Sequence, residues 1–158
     1  MIFKLRNRTL DNIILPSLRD NRRNIEEITL KAQSLMEKTG ISGLEDRDIT
    51  QVSGGQLQRV GICRALMAGP DIVFGDEPTG ALNSKAAEDI MDILSEINTG
   101  GTAVMLVTHD ARVAARAGRV LFMRDGQIVT ELSMSQFSKE ELDSRTQKVS
   151  DKMREIAI

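Results

Sequence analysis

The chain has 158 residues, 41% hydrophobic and 28% charged, with a net charge of −2. That suits one globular domain with a core and lacks the basic excess of a nucleic-acid binder. One cysteine (Cys63) rules out an internal disulfide and fits a reducing compartment, and four Phe with no Tyr or Trp leave few platforms for stacking bases.

No apolar run approaches the roughly 20 residues that span a bilayer, and the opening MIFKLRNRTL has no secretory core. Any link to a membrane is therefore expected through a partner. Ile13, Ile14 and Leu15 form an apolar run that Pro16 breaks. Residues 24–38 read as an amphipathic helix, with Ile28, Ala32, Leu35 and Met36 at helical spacing. Asn24 and Glu27 suit a capped start, and Thr39-Gly40 an end. Residues 40–52 read as loop or short turns. The next helix covers 53–67, with Leu57, Val60, Cys63 and Met67 on one face, and Gly69-Pro70 stops it.

Residues 71–75 form a short apolar run without alternation, the pattern of a buried strand. A helix over 84–97 turns Ala87, Ile90, Met91, Leu94 and Ile97 inward, and Gly100-Gly101 is a turn. A second buried strand is expected over 103–107, then a short helix over 110–117. Segments 120–123 and 127–130 flank Arg124-Asp125-Gly126, a hairpin turn. The tail, 138–158, reads as a charged helix with a Ser138/Glu141 capping box and a thin stripe of Leu142, Val149, Met153 and Ile156. Its charges read as a solvated face. Alternation of helix and strand in the middle predicts an α/β fold with a parallel sheet.

Two segments carry chemistry. Ser53-Gly54-Gly55-Gln56 reads as a capping box, which needs no glycines, or as a helix start that lets a phosphate approach its backbone amides. Asp76-Glu77 stands at the C-terminal end of an apolar strand, where open parallel sheets bind ligands. One carboxylate there can hold Mg²⁺, and its neighbour can activate water against a phosphoryl group. His109, the lone histidine, follows the 103–107 strand and could hydrogen-bond a γ-phosphate or the attacking water. Cys63 and the scattered Met residues read as core filler.

These residues resemble the ATP-binding subunit of an ABC transporter over about residues 5–132. Val52-Ser53-Gly54-Gly55-Gln56 resembles the family signature and Ile72 to Glu77 resembles Walker B. Gly80-Ala81-Leu82-Asn83 resembles the D-loop, with Asn83 where Asp is usual, and His109 matches the switch histidine. The 76–85 stretch is most like the macrolide-efflux and lipoprotein-releasing exporter subfamily.

The resemblance implies a partial P-loop NTPase fold. A helical subdomain with the signature helix covers 1–68, a partial RecA-like core 69–132 and a C-terminal helical tail 133–158. It implies ATP and Mg²⁺ as cofactors, Asp76 as the metal carboxylate, Glu77 and His109 as catalytic groups, and contacts to nucleotide from Ser53, Gly54, Gly55, Gln56, Ala81, Leu82 and Asn83. It implies a transmembrane permease and a second ATP-binding subunit as partners, and a cytoplasmic place peripheral to the membrane. No nucleic-acid partner and no direct insertion are expected.

No Gly-x-x-x-x-Gly-Lys-Ser/Thr run occurs in the 158 residues. Against the family pattern the chain therefore reads as N-terminally truncated, lacking Walker A, and inactive alone. The alternative is a non-catalytic interaction or regulatory module pairing with an intact subunit or permease; a gene fragment without a separate role is a third reading.

Overall fold

The computed structural model describes residues 7–20 and 24–156, with the backbone alone for Arg19 and Asp20. Expectations for residues 1–6 and for the last two residues of the tail lie outside the described residues. The chain falls into two compact units, Met1–Met105 and Leu106–Ile158, and each is described by itself.

The first unit opens with helix α1 (Thr9–Asp20), which contains Pro16. The helix continues through this proline. An interior proline costs about 3 kcal/mol. Burial of Ile13, Ile14 and Leu18 offsets it, since each buried side chain contributes about 1.5–3 kcal/mol. α1 packs with α2 (Ile25–Lys38) and α3 (Gly54–Leu66) around Ala32, Met36, Val60, Cys63 and Met67. Asn24 does occupy the N-cap of α2 but caps nothing; its amide donates to the Glu27 carboxylate instead.

Leu57, expected inward, is 49% exposed. A helix turns 100° per residue, which places Leu57 about 80° from Met67 and off the buried stripe. The 40–52 segment contains a 3-10 turn (Ile49–Gln51) capped by Asp48, and it is pinned to α1. There the Thr9 N–H and hydroxyl both donate to the Arg47 carbonyl, at 2.9 and 3.0 Å.

Strand β1 (Ile72–Asp76) pairs with β2 (Ala103–Val107), and α4 (Ser84–Thr99) connects them. The Ala103 N–H donates to the Asp71 carbonyl at 2.8 Å, so both strands begin at the same end and run parallel. The α/β class expected from the helix–strand alternation is therefore present. Full burial of the strands is not. Val73 is buried, whereas Ile72 and Phe74 are 42% and 70% exposed, and Met105 on β2 is 45% exposed. In β1 the apolar run is continuous in sequence, yet burial follows the two-residue period of a pleated strand.

The second unit holds α5 (Ala111–Ala114), the antiparallel pair β3 (Arg119–Arg124) and β4 (Gln127–Ser133), and α6 (Leu142–Glu155). Asp125 and Gly126 make the hairpin turn with φ of 51° and 77°, the left-handed pair that a two-residue turn requires. Ala115, Phe122, Leu142 and Val149 form the core. The Ser138/Glu141 capping box does not form. Ser138 precedes a 3-10 turn (Lys139–Glu141), and its hydroxyl donates to Glu140 at 2.7 Å.

Arg145 corrects the reading of the tail as a solvated charged face. It is 2% exposed and donates to three main-chain carbonyls: Ala115 at 2.7 Å, Ala117 at 2.8 Å and Ser135 at 2.9 Å. A buried guanidinium needs such partners, and its five-donor fork can serve three separate acceptors.

Candidate functional site

The start of α3 is built as its sequence foretells. The Gln56 N–H donates to Ser53 Oγ at 3.3 Å, and Gln56 Oε1 accepts the Ser53 N–H at 2.9 Å. This reciprocal box fixes the first turn. The Leu57 N–H then closes onto the Ser53 carbonyl at 2.8 Å. The first amides of a helix have no intrahelical acceptor and carry its positive dipole end, so those of Gly54 and Gly55 suit an anion.

The glycines are not dictated by backbone shape, since neither has positive φ. A Cβ on Gly54 would stand 3.8 Å from Leu82 Cδ2, and one on Gly55 3.6 Å from Ala86 Cβ. Those are ordinary contacts, so the fold tolerates a methyl at either position. Neither left-handed geometry nor internal crowding dictates the pair. The same distances bring the α3 start beside the 81–83 turn.

Asp76 ends β1 and is exposed; Glu77 is half-buried and adopts φ 44°, in the left-handed region. A non-glycine residue there costs about 1–2 kcal/mol. Its conformation turns the chain sharply off the strand. The Gly80 N–H closes onto the Glu77 carbonyl at 3.1 Å, and the Leu82 N–H onto the Thr79 carbonyl at 3.0 Å. A Cβ on Gly80 would lie 3.6 Å from Glu77 Cβ. Ala81 is exposed, Leu82 half-buried, and Asn83 caps α4 by accepting the Ala86 N–H at 2.9 Å.

His109 belongs to the second unit. It is exposed on the segment between β2 and α5, where Thr108 Oγ1 accepts the Asp110 N–H at 3.1 Å and Asp110 in turn caps α5. Thus Ser53, Gly54, Gly55, Gln56, Asp76, Glu77, Ala81, Leu82 and Asn83 share one unit, while His109 is carried by the other.

Among the described residues no group of three or more His, Cys, Asp or Glu could hold a metal alone. Mg²⁺ at a nucleotide needs only one or two carboxylates beside phosphate oxygens and water, and the exposed Asp76 carboxylate fits as one such ligand. The anion-binding features at the α3 start fit a nucleotide. The loop of amides and lysine that would cradle a triphosphate beside Asp76 is not among the 158 residues.

Gln58 and Arg59 were not recognisable as structural links from sequence. Gln58 Nε2 donates to the Pro78 carbonyl at 2.8 Å, and Arg59 bridges the Thr39 carbonyl at 2.8 Å and Asp89 at 2.9 Å. Their acceptors lie 20 or 30 positions away, beyond the reach of local patterns.

The chain is similar to known ATP-binding proteins. The ABC transporter family model matches residues 5–80. The chain is 52% identical over 101 residues to a probable syringafactin export ATP-binding/permease protein of Pseudomonas syringae pv. syringae, covering 64% of this chain and 16% of that protein. It is 43% identical over 122 residues to the macrolide export ATP-binding/permease protein MacB of Chromobacterium violaceum, covering 77% and 19%. The chain thus spans less than a fifth of these relatives. Among solved structures it resembles the dimeric ATP-binding cassette MJ0796 in a post-hydrolysis state bound to ADP and Pi. The TM-score is 0.72 at 34% identity, covering 85% of this chain and 60% of that one. A nucleotide-free ATP-binding cassette from an ABC transporter gives a TM-score of 0.77 at 26% identity, covering 96% and 62%.

Proposed function

We propose that this chain, similar to the ABC transporter family over residues 5–80 and to macrolide- and syringafactin-export ATP-binding/permease proteins, serves the nucleotide site of an exporter from the signature side. The observation that carries the reading is the built start of α3. Its capping box is complete, its two leading glycines are unforced by the fold, and Ser53 and Gly54 are exposed. In this reading Ser53, Gly54, Gly55 and Gln56 contact ATP held by a second ATP-binding subunit, and Ala81, Leu82 and Asn83 lie beside that contact. Toward a nucleotide of this chain's own, Asp76 would offer one oxygen to Mg²⁺ and Glu77 would be the base toward water, with bound Mg²⁺ supplying charge neutralisation. The role of His109, on the other unit, is the one its sequence motif implies, a hydrogen bond to a γ-phosphate.

No hydrolytic step is derived for these residues alone, because the triphosphate cradle is not among them. The 158-residue chain by itself is expected to bind Mg-ATP weakly and not to turn it over. Micromolar affinity by titration calorimetry, with steady turnover, would overturn that. Partnership with a permease, coupling to export and a place at the inner membrane face belong to the same proposal. Among the described residues no helix is long and apolar enough to cross a membrane.

The decisive experiment uses an intact exporter subunit whose own signature is disabled while its phosphate loop is kept. Adding this chain should restore ATP turnover, and Gly54→Asp should abolish the restoration. Failure to restore turnover would refute the composite site. Co-elution without turnover would favour the second reading, a non-catalytic module, which is supported by the signature side being complete while the cradle is not among these residues.

A further inference from the structure

A polar link joins the α3 start to the turn after β1. Gln58 is half-buried, and its amide donates to the carbonyl of buried Pro78 at 2.8 Å, next to Glu77. Only the amide nitrogen can make this bond, since a carbonyl accepts and never donates. Around it the two segments lie close, as the Gly54–Leu82 and Gly55–Ala86 approaches record. Two short-range bonds also shape the turn, Gly80 N–H to the Glu77 carbonyl and Leu82 N–H to the Thr79 carbonyl. Its first residue, Glu77, is in a strained conformation that will not persist unless neighbours hold it.

We propose that Gln58 is a positioning residue: it anchors the 77–80 turn to the signature helix, so that the Gly54-Gly55 amides and the Glu77 backbone keep one fixed spacing. A displacement of α3 by a partner's nucleotide is then passed to the turn that carries Glu77 by a direct bond. This deepens the signature-side reading and rests on it for its functional meaning, but the mechanical link stands on the bond itself.

The test measures amide hydrogen-exchange protection factors in the 158-residue chain. Gln58→Leu keeps bulk and removes the donor. Loss of one net hydrogen bond should lower protection at Gly80 and Leu82 about fivefold, and leave Met134, bonded to Gly118 in the other unit, unchanged. Gln58→Glu should show the same loss at pH 7, where the carboxylate cannot donate. Protection should return toward wild type at pH 4 and below as the acid protonates and regains a donor. This reversal occurs within one chain, so it remains readable if Gln58→Leu folds poorly, and simple loss of packing would not produce it. Unchanged protection at Gly80 and Leu82 in both variants would overturn the proposal. In the restored composite site, Gln58→Leu should lower kcat while KM for ATP stays. If protection responds but the wild-type chain restores no turnover, the anchor stands and the signature-side function fails. If wild-type turnover appears and Gln58→Leu leaves both kcat and protection intact, the function stands and the anchor fails.

Discussion

Glu77 stands at the end of β1 with φ 44°, a conformation that glycine adopts freely and other residues resist. Comparing Glu77→Gly with Glu77→Ala isolates that strain, because both remove the carboxylate and all its interactions. At an ordinary position glycine is the less stable of the two by about 0.5–1 kcal/mol, through the entropy of the unfolded chain. Here alanine also keeps a left-handed penalty of about 1–2 kcal/mol that glycine escapes. The difference should invert, with Glu77→Gly the more stable by about 0.5–1 kcal/mol. Urea unfolding of the two variants followed by circular dichroism reads this directly, provided that the m-values agree. Asp125, with φ 51° in the hairpin turn, is a control that should show the same sign. If Glu77→Ala proves equal to or more stable than Glu77→Gly, the turn is not strained and the argument for an anchored Glu77 loses its premise.

Replacing Arg145 by Met removes three charge-assisted bonds and leaves buried carbonyls unpaired, so stability should fall by about 3 kcal/mol. Arg145→Lys should recover only part, since an ammonium cannot span the same acceptors; a urea midpoint unchanged by Arg145→Met would refute the role. Burial pushes the Cys63 thiol above its ordinary pKa, partly opposed by its contact with the Thr39 hydroxyl at 3.1 Å. Alkylation by iodoacetamide at pH 8 should be about 100-fold slower than for a free thiol and should speed up in urea. The Asp48 carboxyl is held below its usual range by the Thr50 hydroxyl, at 2.6 Å, and the Thr50 N–H, at 2.9 Å. A depressed folded-state pKa gives stability that is full above the unfolded pKa and lost as pH falls through the folded one. The difference in urea midpoint between wild type and Asp48→Ala should therefore shrink on acidification from pH 6 to pH 3, and a constant difference would contradict the assignment.

Much of the site was legible locally. Ser53 and Gln56 sit three apart and find each other by helix geometry alone, so the capping box needs no long-range information. Asp125-Gly126 likewise declares its turn, because few residues accept two successive positive φ angles. Local preference and packing disagreed elsewhere. Pro16 is unfavourable inside a helix, yet α1 continues because Ile13, Ile14 and Leu18 are buried across it. Asn24 and Ser138 stand at helix-start positions, but their side chains bond to Glu27 and Glu140 instead of capping.

The sequence by itself determined the order of elements, the α/β class and the ATP-binding family resemblance. Each of these is written in short-range periodicity or in motifs a few residues long. Tertiary structure alone decided that the apolar β1 keeps Phe74 exposed, that a tail arginine is buried, and that Gln58 reaches Pro78. Those outcomes depend on which surfaces and carbonyls meet after folding. An acceptor 20 residues away leaves no trace in the local pattern of its donor.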